Sequence, residues 1–319
     1  MKKQIFVCEI NKGLSAINDV FIVMKKDIFT KKDNTKYISL LLGDRTGFIE
    51  GRIWERVEEL NGNFEKNDIV YIEASPKLYQ QRLQLNITDV RKIMEEFSIN
   101  DMKAFFPESK KGIEQLKEEY FKLVGEIKNS YIRSLFDKLN NQKDVLERFF
   151  LFPASIGIHH TYIGGLIEHS LTMAHMGKLI VDTIGGDRDI VIAGSLLHDI
   201  GKIDEITVRG GFKYSDKGRL IGHIGLGVLR LEELIKTIDK FPIHIADVLT
   251  HIIISHHGIE EWGSPRKPMC IEALIVHYID NLDSKVSGVK EYMEKNMEDE
   301  RWTEYHRFYE SRFYKLPEG

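Results

Sequence analysis

Only two cysteines, Cys8 and Cys270, occur in 319 residues, and they stand far apart. A disulfide framework is excluded, and two isolated thiols are expected to serve as packing residues in an intracellular chain. Long apolar runs are missing as well. Ile5-Phe6-Val7-Cys8 ends at Glu9, too short for a signal peptide despite Lys2 and Lys3 before it, and nothing approaches the ~20 residues of a membrane span. A cytoplasmic protein with no membrane partner is expected. There is no excess of charge of one sign: 45 Lys and Arg against 49 Asp and Glu leave a net charge of −4. A nucleic-acid partner therefore cannot be inferred from net charge and has to be argued from local patches. Internal repeats and low-complexity tracts are absent.

The chain is 42% hydrophobic, and its length favours two domains over one. Its character changes near residue 98. Before it, Asp19 to Met24, Lys36 to Leu42, Gly47 to Trp54, Asp68 to Ala74 and Arg82 to Ile87 each read as a strand, separated by turn signals such as Gly43-Asp44-Arg45-Thr46-Gly47. A brief helical stretch around Glu55 to Asn61 follows the third. Five short strands in that order are expected of a small Greek-key barrel, the OB-fold. Beyond residue 98 the periodicity is helical. Residues 1–98 are therefore expected to form the barrel, 99–143 a Lys- and Glu-rich helical connector, and 144–319 one all-α domain.

That helical part carries seven residues of one chemical kind in order: His169, His198-Asp199, His223, His256-His257 and Asp280. His169 shares a stripe with Met173, Met176 and Ile180, and His256 continues Ile245, Leu249 and Ile252. Asp280 lies on a face with Ala273, His277 and Ser284, and His198-Asp199 closes a helix expected over Asp189 to Ile200, with Gly201 as its terminator. One histidine on an apolar stripe is usually a hydrogen-bonded core residue. Four helices each delivering a ligand-type side chain from an apolar face instead point to divalent metal ions and phosphate-ester chemistry. His175, His244, His251 and His306 show no such convergence.

The motifs GGLIEHS, LLHDIGK, GHIG, ISHHG and HYIDNLD resemble the HD-domain superfamily of metal-dependent phosphohydrolases over about residues 150–290. With an OB-like region before them, and with HHTYIGGLIEHS, ISHHGIEEWGSPRKPM and IVHYIDNLDSK, the chain resembles the YhaM-type 3′-to-5′ exoribonucleases. The resemblance implies a hydrolase that shortens single-stranded RNA, with single-stranded DNA as a further candidate, to nucleoside 5′-monophosphates. It places His169, His198, Asp199 and Asp280 around one metal. Asp199 would bridge to a second ion held by His223 and His256, with His257 a further ligand or an orienting group. Manganese is the favoured ion, with iron, zinc or cobalt as alternatives. A nucleotide or cyclic-nucleotide phosphohydrolase, and a non-catalytic RNA-binding adaptor, are the competing readings, and a homo-oligomer is allowed.

Lys202 either neutralises a phosphate oxygen or sits against the helix dipole. Arg266 and Lys267, between Pro265 and Pro268, either contact substrate phosphate or belong to a solvated loop, and His160, after His159, is a candidate acid for the leaving oxygen. In the third strand, alternation sets Ile49, Gly51 and Ile53 against Phe48, Glu50, Arg52 and Trp54. In the fifth it sets Leu83, Leu85 and Ile87 against Gln84 and Asn86. If the first set of each is core, the outer surface with Lys31, Lys32, Tyr37, Tyr79 and Arg82 suits phosphate contact and base stacking. Otherwise Trp54 and Tyr37 plug the barrel ends. The aromatic and cationic residues from Trp302 to Tyr314 are expected to pack a last helix, an RNA or subunit contact being the sharper alternative.

Overall fold

Five strands carry the first unit: β1 Ile17–Thr30, β2 Lys36–Asp44, β3 Gly47–Ile53, β4 Ile69–Tyr79 and β5 Arg82–Lys92, with helix α1 Val57–Asn61 between β3 and β4. They close into a barrel in the order β1-β2-β3-β5-β4, sealed by a parallel pairing of β3 with β5 at Glu50–Gln84 through Arg52–Asn86. The core is the inward set of each strand, including Phe21, Val23, Leu40, Leu42, Ile49, Ile53, Val70, Ile72, Leu85 and Ile87. This is the OB barrel expected from the strand pattern.

Three strands run well past the ends inferred from alternation. In β1 and β4 ladder hydrogen bonds continue beyond the stretch over the core, and in β5 a register shift opposite Glu73 and Ala74 breaks the alternation before the buried Val90. Thus β1 pairs with β2 out to Phe29–Tyr37 and Thr30–Lys36, and β4 with β5 out to Leu78–Leu83 and Tyr79–Arg82. The outer half of β1 is no longer buried. The barrel therefore projects two ribbon arms.

The computed structural model describes residues 3–94, 98–156, 162–208, 211–297, 299 and 301–317. Its chain divides into two compact units, Met1–Lys110 with Ile206–Asp216, and Lys111–Glu205 with Lys217–Gly319. The inserted piece of the first unit is a hairpin, β6 Ile206–Thr207 with β7 Lys213–Tyr214, whose Lys213 pairs with the buried Asp68. Nothing in the residue pattern signalled it.

The second unit is helical: α2 Ile113–Gly125, α3 Ser130–Asn140, α4 Lys143–Leu151, α5 Gly165–Ile184, α6 Arg188–Leu197, α7 Lys202–Glu205, α8 Asp216–Lys236, α9 Ile243–Ser255 and α10 Ile271–Lys295. The stretch 99–143, expected as a connector, contributes α2 and α3 to it. Asn129 and Asp187 cap α3 and α6 by accepting two backbone N–H bonds each. Met173, Val191, Ile252, Ala273, Val276 and Ile279 bring α5, α6, α9 and α10 together in one apolar cluster. Against expectation, no helix follows α10 among the described residues. Isolated bridges Met297–Thr303, Trp302–Tyr314 and His306–Ser311 fold that segment back on itself, because its aromatics pack pairwise across bridges, as Trp302 does with Tyr314 at 5.1 Å. No helix is long and apolar enough to cross a membrane among the described residues.

Candidate metal centre and strand groove

The His-Asp and His-His pairs each follow a helix directly. α6 ends at Leu197 and continues as a tight turn in which Ile200 N–H donates to Leu197 O (3.1 Å) and Lys202 N–H to Asp199 O (2.9 Å). α9 ends at Ser255, and His256 and His257 fill the turn before Gly258. Ligands at two helix C-termini suit a cation, since the last carbonyls carry a partial negative charge of about half an electron. α8 is broken at Gly222, whose φ of 74° is a glycine conformation. The break frees the next backbone N–H, which the Glu205 carboxylate accepts from His223 (3.0 Å). Gly201 lies so close to α8 that a Cβ there would collide with the His223 carbonyl.

Two triads result. His169, His198 and Asp280 offer ligand atoms within 4.8 Å of one another, and so do His223, His256 and His257. Asp199 lies between them. Its Oδ2 is 3.2 Å from His198 Nε2 and 3.9 Å from His169 Nε2, while its Oδ1 is 3.5 Å from His223 Nε2 and 3.7 Å from His256 Nε2. All seven residues singled out in the sequence are thus gathered at one place. His169, His198, Asp199 and His256 are buried, and the other three are partly exposed.

Each imidazole is oriented through Nδ1. His198 donates to Ser195 O (2.9 Å), His256 to Ile253 O (2.7 Å), His257 to Trp262 O (2.6 Å) and His169 to Asp283 Oδ2 (2.7 Å), while His223 Nδ1 lies 3.3 Å from Glu205 Oε1. This fixes the tautomer and turns the other nitrogen inward. Asp199 Oδ1, His223 Nε2 and His256 Nε2 are buried with no hydrogen-bond partner among the described residues. Orphaned buried acceptors are costly unless something occupies the space between them. A divalent cation fits this donor set of imidazole nitrogens and carboxylate oxygens.

Electrostatics agree. Burial opposes ionisation of Asp199, yet Lys202 and His198 hold its carboxyl well below the usual range, and Asp280 is lowered against burial by His169 and His198. Burial, with His257 beside it, keeps His256 well below its ordinary value, and burial with His223 lowers His257. Burial would also lower His169, but Asp280 and Asp283 outweigh it and raise that imidazole to about 9.

Lys202 Nζ donates to Asp199 Oδ2 at 2.6 Å, inside the cluster rather than on an outer surface. Burial would lower its pKa, but Asp199 raises it. Arg266 and Lys267 are exposed and do not line the cavity beside the cluster. From the same loop Trp262 does, and the lining cations there are Lys202 and Lys285. His160 lies outside the described residues. Asp283 and Glu205 were not anticipated. Asp283 could have been sought as the second carboxylate of Asp280-Asn281-Leu282-Asp283, whereas no local signal pairs Glu205 with His223. Asp283→Ala is expected to weaken metal binding roughly 10- to 100-fold, the usual effect of losing a group that orients a ligand. Metal titration checks this, and unchanged affinity would mean that packing alone holds His169.

On the barrel, Tyr37, Glu50, Arg52, Trp54, Tyr79, Gln80, Arg82 and Gln84 line a groove of about 320 Å³. Trp54 is 42% exposed and stacks on Tyr37 at 4.7 Å, which stacks on Phe29 at 5.5 Å. These rings therefore do not plug the barrel ends. Lys31 Nζ sits 4.9 Å from the Trp54 ring centroid, whereas Lys32 is exposed in the β1–β2 turn and does not line the groove. Arg52 donates to Ser39 Oγ (2.5 Å) and Glu50 Oε2 (2.8 Å), so a phosphate would compete with Glu50 for it. Leu83 is only partly buried, unlike Leu85 and Ile87.

Comparison with known proteins gives two family matches: the HD domain over residues 166–285 and the OB-fold nucleic acid binding domain over residues 22–93. Solved structures similar to part of the chain include the second OB-fold domain of replication protein A from Methanococcus maripaludis, at 26% identity over 31% of this chain and 100% of that one, TM-score 0.23. A mitochondrial single-stranded DNA-binding protein from S. cerevisiae is 18% identical over 25% and 93%, TM-score 0.22. A replication protein A heterotrimer bound to single-stranded DNA is 22% identical over 28% and 63%, TM-score 0.21. The chain joins an OB-fold nucleic-acid-binding domain to an HD-domain metal-dependent phosphohydrolase.

Proposed function

We propose that this phosphohydrolase is a 3′-to-5′ exonuclease that hydrolyses single-stranded RNA, with single-stranded DNA as a second substrate, to nucleoside 5′-monophosphates. The observation that carries the reading is Asp199, which turns one carboxylate oxygen to each of two ligand triads in a chain that also bears a nucleic-acid-binding barrel. Divalent cations bound there, manganese by preference, would supply Lewis acidity for displacement at phosphorus by water, with the P–O3′ bond broken.

The protein's own residues have separable tasks. His169, His198 and Asp280 hold one position, His223, His256 and His257 the other, and Asp199 is shared. Asp283, Glu205 and the carbonyls of Ser195, Ile253 and Trp262 keep the five rings aimed. Lys202 lines the same cavity and carries its charge to within reach of a non-bridging phosphate oxygen. Arg82, Tyr37 and Trp54 on the barrel suit the backbone and bases of a single strand.

The test is incubation of 5′-labelled single-stranded RNA with the metal-stripped protein, with and without added manganese. A ladder shortening from the 3′ end only with metal, and 5′-monophosphate products, are expected. Intact RNA in every lane, with a free nucleotide hydrolysed instead, would move the assignment to a nucleotide phosphohydrolase. The cavity of about 330 Å³ beside the cluster is large enough for that reading.

A further inference from the structure

One wall of the cavity beside the metal-ligand cluster is unlike the rest. Asp199, His256, His257 and Asp280 line it with metal-ligand groups, and Trp262, Phe308 and Tyr309 line it with rings from a single-turn helix and the C-terminal segment. Trp262 is 47% and Phe308 70% exposed, so large apolar rings are kept open to solvent next to a highly charged centre. Such an arrangement suits a ligand that is apolar on one side and anionic on the other.

The rings are held in place. Phe308 and Tyr309 meet edge to face at 5.2 Å, Tyr309 packs on Phe313 at 5.5 Å, and Tyr309 Oη donates to Lys285 O at 3.5 Å. Lys285 Nζ lies 5.7 Å from the Trp262 ring centroid. The Trp262 carbonyl is the acceptor that orients His257, so the platform and a ligand belong to one loop. Asn281 and Ser284 add hydrogen-bonding groups from α10. A volume of about 330 Å³ sits at the low end of small-ligand cavities, which run from about 300 to 1,000 Å³, and matches one nucleotide rather than two.

We propose that this cavity seats the terminal nucleoside of the substrate, with Trp262 and Phe308 as the platform for its base and Lys285 beside its phosphate. The proposal rests on the exonuclease reading and adds to it a requirement: the terminal residue must carry a base, whichever base it is. Every base has a face to stack, so the site demands a base without choosing its sequence.

Two measurements test this. For RNA cleavage, kcat/KM on a strand with an intact 3′-terminal nucleotide is compared with that on the same strand ending in an abasic residue. The ratio is expected to be roughly 5- to 150-fold in the unaltered protein, the equivalent of about 1 to 3 kcal/mol per stacked base, and to fall toward one in Trp262→Ala and Phe308→Ala. Trp262→Phe should recover most of it. Because the bond to His257 comes from the Trp262 backbone, bound metal should stay constant, which separates loss of the platform from loss of the centre. The second measurement is calorimetric titration of the metal-loaded protein with adenosine 5′-monophosphate and with ribose 5-phosphate. Tighter binding of the nucleotide, lost in Trp262→Ala, is expected. Equal binding of both ligands, or a ratio near one on RNA in the unaltered protein, overturns the proposal while leaving the exonuclease reading intact. A base preference in titration by a protein that leaves RNA whole supports the seat and removes the polymer as substrate.

Discussion

Replacing Asp199 by Asn is expected to remove metal-dependent turnover and to lower the amount of metal bound per chain. Among the described residues the carboxylate is the group that faces both triads, with Oδ2 toward His198 and His169 and Oδ1 toward His223 and His256. An amide keeps the shape but presents one acceptor and an NH₂ donor, so one triad meets a hydrogen where it needs a lone pair. A lost orienting group costs roughly 10- to 100-fold in affinity or activity, and loss of a shared ligand should exceed 100-fold in kcat/KM.

Stability offers an independent reading of the same change. A cation at 100 times its dissociation constant adds about 2.7 kcal/mol to the folded state of the unaltered protein. At roughly 2 to 4 °C per kcal/mol for chains of this order, manganese should raise the melting temperature by several degrees and chelation should reverse it. Asp199→Asn should lose most of that gain. Metal analysis, melting curves and RNA turnover measured on one preparation decide the matter. Full turnover by the variant, or by the stripped protein, would remove the centre from the reaction.

Trp54→Ala is expected to weaken binding of single-stranded RNA by roughly 5- to 150-fold, the range that about 1 to 3 kcal/mol per stacked base implies. Trp54 ends an exposed ladder with Tyr37 and Phe29, with Lys31 over its face, at the rim of the groove that Tyr79 and Arg82 also line. Tyr37→Ala should act in the same direction. The two together should fall short of the sum, because removing one ring changes what the other stacks on. Phe48→Ala is the control: the ring is 54% exposed on β3, which ends just before Trp54, but does not line the groove. Arg82→Ala should reduce the salt dependence of binding by about 0.7 in the log–log slope if it neutralises one phosphate. Equal affinities for Trp54→Ala, Phe48→Ala and the unaltered protein would take the strand off this face of the barrel.

Among the candidate ligands His169, His198, Asp199 and His256 were the most legible, because burial and residue type conflict there. An imidazole or carboxylate on an apolar stripe is conspicuous in one dimension, and the barrel core of Ile49, Gly51, Ile53, Leu85 and Ile87 was readable from alternation by the same logic. Arg266 and Lys267 show what sequence neighbourhood leaves open. Two cations between prolines beside His256-His257 are close in sequence, but the loop turns them to solvent and sends Trp262 to the cavity instead. The groove was only half visible, since its walls depend on strand arms that continue where apolar alternation has stopped.

By itself, then, the amino-acid sequence determined the two fold types, the inward faces of their elements, and the set of side chains able to ligate a metal. Those are consequences of local periodicity and side-chain chemistry. Tertiary structure sets the sorting of the candidate ligands into two triads around the two oxygens of Asp199, which the family resemblance had implied, and it alone decided that Asp283 and Glu205 aim His169 and His223. It also decided that main-chain carbonyls of Ser195, Ile253 and Trp262 do the same for the other rings. A backbone carbonyl has no signature in sequence, and the distance between residues a hundred positions apart is set by how helices pack, which no single stretch of chain contains.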